Sequence, residues 1–245
     1  MYSGAGDGVC RRCTGTDAYA ESAGTGCRSG SVGGISSSEG RYGGATFRCI
    51  ADDAESTRCK LGATALALVG MISLARHDEV RGAYDALISS YAAYIQAMQK
   101  ENGGFRGVFN LGRAIQSEAE SSYSNGEALL ALVRYDEYVP NDVTKIGIAD
   151  AFHYFKNEVP FDTSLYLWVM GALADLYVRE PRSDYASYVK AYTDWRMAGY
   201  AHRRDTTHNV CAYTEGLVLA YRVLDGFLSP AAPNTRVRPA AARSP

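Results

Sequence analysis

Residues 60–75, KLGATALALVGMISLA, constrain the fold more than any other stretch of this chain. No charge interrupts residues 61–75, and small residues are threaded through Leu, Val, Ile and Met. Three later segments share that character: residues 126–133 (GEALLALV), 166–177 (YLWVMGALADLY) and 213–224 (YTEGLVLAYRVL). A helix that is apolar nearly all round has to be packed on more than one side. Between these segments lie stretches with a single apolar stripe at helical spacing. Tyr84, Leu87, Ile88, Tyr91, Ile95 and Met98 mark the first, Ile148, Phe152, Phe155 and Val159 the second, and Tyr185, Tyr188, Val189, Tyr192 and Trp195 the third. The repeating unit is a buried helix followed by a covering helix. The fold class predicted is all-α, about seven helices across residues 46–228. Leu66, Leu130 and Val169 are expected inside it.

The flanks read differently. Residues 1–45 contain twelve of the 25 glycines and almost no Leu, Ile, Val or Phe, too little apolar surface to offset the entropy of ordering. They are expected to be disordered or loosely packed, as is the Pro-, Ala- and Arg-rich tail 229–245. Five of six cysteines precede residue 60. Cys10 and Cys13 have the spacing of half a zinc site, but Cys27, Cys49 and Cys59 supply no second close pair. The thiols therefore read as free, and no metal or other cofactor is predicted.

A net charge of −2 offers no basic excess for phosphate neutralisation, so nucleic acid is not an expected partner. The apolar run 61–75 is shorter than the roughly 20 residues that cross a bilayer, so no membrane span is expected. Nothing at the N-terminus resembles a signal peptide, which makes the cytoplasm the default location.

One motif adds to this pattern. Gln99-Lys-Glu-Asn-Gly103-Gly104-Phe105 follows the first covering helix. Alternating inner and outer helices with such a turn resemble the α/α toroids, the superfold of six-hairpin glycosidases and, more distantly, of terpenoid cyclases and protein prenyltransferase β-subunits. The resemblance spans residues 47–228. It implies an α/α toroid, or an open arc of antiparallel helical hairpins. Six hairpins need twelve helices, so seven imply an incomplete barrel, or hairpins supplied by an oligomer. It also implies a carbohydrate ligand, an oligosaccharide or uronic-acid glycan, handled by acid/base carboxylate chemistry. Because this superfold hosts unrelated chemistries, the residues must carry the rest.

Connection lengths say where to look. If the inner helices share one direction, all outer-to-inner links lie at one end. Two of those links, 100–124 and 198–209, are long, which loops of a compact domain seldom are without a function. They and the short link 160–162 hold Arg106, Arg113, Tyr123, Asp162, Asp205 and His208. Glu127, Tyr166, Tyr213 and Glu215 follow in the first turns of the buried helices. Asp162, Glu127, Glu215 and His208 are the candidate acid/base groups; Arg106, Arg113, Tyr123, Tyr166, Asp205 and Tyr213 are candidate ligand contacts. Each has a structural competitor. A glutamate near a helix N-terminus meets the helix dipole favourably, and Asp162 is placed to cap the turn that follows it. Two other functions stay open: a non-catalytic glycan- or protein-binding module, and prenyl-transfer chemistry. The last rests on the stretch Asp205-Thr-Thr-His208, similar to the zinc-binding histidine region of prenyltransferases, although the helical region has no Asp-x-Cys pair.

Overall fold

The computed structural model describes residues 36–51, 56–77, 82–202 and 210–228, all within one compact unit, Gly33–Pro245. Seven helices stand among them, as the apolar periodicity predicts: α1 (Leu61–Ala75), α2 (Asp85–Met98), α3 (Ser122–Tyr138), α4 (Asp142–Asn157), α5 (Tyr166–Arg179), α6 (Ser183–His202) and α7 (Val210–Leu228). Asn141 caps α4, its side-chain oxygen accepting from the Thr144 amide at 2.8 Å.

The odd-numbered helices pack in series, α1 on α3, α3 on α5 and α5 on α7. Their contacts rise together in residue number. Gly62 faces Ser124 and Glu127, and further along Arg76 pairs with Glu137 at 2.8 Å. Gly126 faces Trp168, and Arg134 pairs with Asp175 at 3.2 Å. Gly216 and Gly226 meet Tyr166 and Tyr177. These four helices are therefore parallel. The even-numbered helices form a second parallel layer, with Gln96 and Gln99 of α2 bonded to Thr144 and Gly147 of α4, and Phe152 and Phe155 of α4 against Tyr185 and Tyr188 of α6. The layers run antiparallel: Tyr138, ending α3, donates to Asp85, starting α2, at 2.5 Å.

The core lies chiefly between the layers, and α3 and α5 are its most enclosed helices. Leu130 and Val169 are buried as expected, but Leu66 is 43% exposed. It projects from a face of α1 on which Gly70 is open too. No helix of the described residues is long and apolar enough to cross a membrane.

A five-stranded antiparallel sheet corrects the all-α expectation: β1 (Ser36–Tyr42), β2 (Ala45–Ala51), β3 (Arg58–Lys60), β4 (Val108–Asn110) and β5 (Ile115–Gln116), paired in that order. β1 lies inside the stretch expected to be loose. Composition misleads there because the strand is ordered by its backbone. Gly43 and Gly44, both at positive φ, make the two-residue turn that pairs Tyr42 with Ala45, and β2 buries Phe47 and Cys49 behind it. Cys49 and Cys59 form a disulfide, so these two cysteines are not the free thiols the sequence suggests. Their spacing hid the bond, because β2 and β3 become neighbours only through pairing of Ala51 with Cys59.

Candidate functional site

The N-termini of the odd helices and the links 100–124 and 160–162 gather at one end, called the rim below. β3 leads straight into α1, and the Leu61 amide donates to Gly107 of the first link at 2.9 Å. The Gln99–Phe105 motif is a clamp between helices. Gln99 Nε2 donates to the carbonyls of Gly103 (3.2 Å) and Gly147 of α4 (2.7 Å). Gly103, at φ +93°, lies so close to the Asp150 backbone that a Cβ has no room, and Gly104 lies against the Tyr154 ring. The Phe105 side chain is buried, and its amide donates to Asn125 of α3 at 2.8 Å.

Beside the clamp lies a cleft of about 210 Å³, with Glu120, Asn125, Tyr154, Phe155 and Glu158 among its walls. Glu120 accepts from the Tyr154 hydroxyl and pairs with Lys100, each at 2.7 Å. Burial, then the Glu120 bond, pushes the Tyr154 phenol above its ordinary range. Asn102 donates to Glu158 at 3.1 Å. At the solvent edge Arg106 Nε holds Glu118 at 2.8 Å, and that bond keeps the Glu118 carboxyl below its usual range.

Asp162 caps the turn into α5. Its Oδ1 accepts from the Ser164 amide at 2.7 Å and the Ser164 hydroxyl at 2.5 Å, while its backbone both donates to and accepts from the Tyr192 hydroxyl. Burial pushes this carboxyl up, but the bonds from Ser164 and from Ser122 of α3 outweigh it, and the net shift is downward.

Glu127 differs from its neighbours. It belongs to a stripe of α3 that includes Tyr123, Leu130 and Arg134, and its carboxyl lies against Gly62 in the first turn of α1, with Ser124 Oγ alongside. Only 9% of the residue is exposed, no ion pair holds it among the described residues, and burial pushes its pKa up to about 7.

The remaining candidates are more scattered. Tyr123 is 48% exposed, one helical turn before Glu127. Tyr166 is a core residue: its hydroxyl bonds Thr193 at 3.0 Å, burial raises its pKa, and Gly216 packs on its ring. Tyr213 lies beneath the Arg196 guanidinium, 4.6 Å from the ring centre, and Glu215 is exposed on α7. Arg113 stands exposed in the turn between β4 and β5, its amide taken by Asn110. His208 and Asp205 lie outside the described residues. Among the described residues no group of three His, Cys, Asp or Glu is placed to hold a metal.

Sequence reasoning missed Tyr154, Glu158, Lys100 and Gly62. Tyr154 sits one position from the α4 stripe and reads as packing. In the sequence Gly103 and Gly104 mark only a turn; their close approach to α4 comes from the fold. Neither a protein-family model nor a curated protein matches this chain.

Proposed function

We propose that this chain is a carbohydrate-active protein of the α/α-toroid type, binding an oligosaccharide at the rim and using Glu127 as its proton donor. The observation that carries the reading is Glu127: a largely buried residue, its carboxyl free of any cationic partner among the described residues and its pKa pushed up by burial to about 7. A general acid works best with its pKa close to the operating pH, and burial is the usual way to raise a glutamate to that value. Tyr123, exposed one turn away on the same stripe, offers an aromatic face to a sugar ring. Glu127 is not among the walls of the cleft beside Tyr154, so the reading places the sugar at the rim against Tyr123 rather than in that cleft.

One observation favours binding without turnover. Asp162 is committed to capping a turn, and Glu118 and Glu120 are paired with Arg106 and Lys100. Among the described residues no second carboxylate is then held ready beside Glu127. Calorimetric titration and product release should be measured with neutral, amino-bearing and uronate oligosaccharides, using wild type, Glu127→Gln and Tyr123→Ala. Turnover that falls at least about 100-fold in Glu127→Gln, with binding kept, supports the acid role. Binding weakened by Tyr123→Ala, with no turnover in any variant, supports the binding module. Absence of binding to every sugar removes the carbohydrate reading.

A further inference from the structure

The carboxyl of Glu127 occupies the space that a side chain at position 62 would fill: a Cβ there meets Glu127 Oε2 head on and Ser124 Oγ at 2.9 Å. We infer that Gly62 is a positioning residue, its missing Cβ forming the seat that holds the Glu127 carboxyl between α1 and α3 and away from water. Gly62 is a costly residue at this position. It is the second residue of a helix, and glycine is a poorer helix former than alanine. Its φ is not positive, so no backbone strain calls for glycine here. Close approach of the carboxyl is the remaining physical reason.

The seat is fixed from behind. β3 enters α1 without a linker, Cys59 of β3 is tied to Cys49 of β2, and Lys60 pairs with Val108 of β4. The Leu61 amide is bonded to Gly107, and Tyr94 of α2 donates to the Cys59 carbonyl at 3.1 Å. The added sheet therefore sets where the first turn of α1 stands, and through Gly62 where the carboxyl of α3 stands. The charged or titratable side chains nearest along the α3 stripe are Tyr123 and Arg134, each at least one turn away; on the α1 side the nearest in the chain is Lys60, two positions before Gly62, and burial is what raises the carboxyl.

Relevance to catalysis rests on the proton-donor reading above, but the positioning itself is testable without any ligand. In the full chain, the Glu127 carboxyl is followed by carbon-13 NMR titration and assigned by its disappearance in Glu127→Gln. In Gly62→Ala the added methyl should displace the carboxyl toward solvent and raise its acidity at least about tenfold. Gly70→Ala, on the same helix but with open space at its Cβ, should leave the titration unchanged. If Gly62→Ala does not fold, the double variant Gly62→Ala/Glu127→Ala should restore folding, because the obstruction is the carboxyl. An unchanged titration in Gly62→Ala, an equal change in Gly70→Ala, or an unfolded variant not rescued by Glu127→Ala overturns the inference. Loss of glycan binding in wild type, with the titration as expected, overturns only the carbohydrate reading.

Discussion

A glutamate with a pKa of about 7, against an ordinary value of 4.5, makes stability depend on pH in a definite direction. Between those values the folded chain holds a proton that the unfolded chain has released, so this residue's contribution is intact below pH 4.5 and is lost as pH rises through 7. Glu127→Gln removes the dependence. Its stability relative to wild type should improve by about 1–2 kcal/mol between pH 4 and pH 8, allowing for solvent screening at the rim. Urea unfolding at the two pH values measures this. The opposite end of α3 carries a paired carboxylate. Asp136 is buried, takes Arg179 at 2.9 Å, and leaves Oδ1 without a partner. Arg179→Ala strands that carboxylate and should cost about 3 kcal/mol, whereas adding Asp136→Leu should recover most of the loss. Thermal melts of the single and double variants decide it.

At the scale of elements, two connections hold the rim. The first is the clamp, whose Gly103 combines a positive φ with contact on the Asp150 backbone. Gly103→Ala should destabilise by about 2 kcal/mol or more and loosen α2 from α4, read as faster exchange of the Gln99 side-chain amide that bonds Gly103 and Gly147. The second is the Cys49–Cys59 bond, which closes a loop of sequence separation 10. In the chain-entropy account such a closure stabilises by about 2–3 kcal/mol. Cys49→Ser should lower the melting temperature, and reductant should have little further effect on that variant while lowering wild type toward it.

At the scale of the whole molecule, the two helical layers and the sheet form one cooperative body. Phe47 of β2 packs its ring 5.2 Å from both Tyr94 of α2 and Phe109 of β4, and the Ile50 amide uses the hydroxyl of Thr64 in α1. A chain beginning at Ser56 therefore bares several large aromatic faces of the core at once. It should lose its sharp thermal transition rather than melt a few degrees lower, as followed by circular dichroism. At the start of α1 the same contacts reach the rim. Its side chains are carried by helix ends, and those ends are fixed by strand pairing and ion pairs rather than by the links alone.

Periodicity in the sequence determined the helices, their alternation of buried and covering roles, and the end at which polar links gather. Those follow from local spacing: residues three or four apart share a helix face wherever the helix is placed. The Asn141 cap of α4 is local in the same sense, its side chain bonding a residue three positions on. The sheet, the disulfide, the exposure of Leu66 and the enclosure of Glu127 were decided by tertiary structure. Each depends on pairs distant in sequence, such as Arg58 with Asn110 or Gly62 with Glu127. A carboxyl in the first turns of α3 looks, in one dimension, like any helix-starting acid. Burial raises its proton affinity, and the surface that buries it includes the first turn of α1 at Gly62, 65 positions earlier and beside it only when the chain folds.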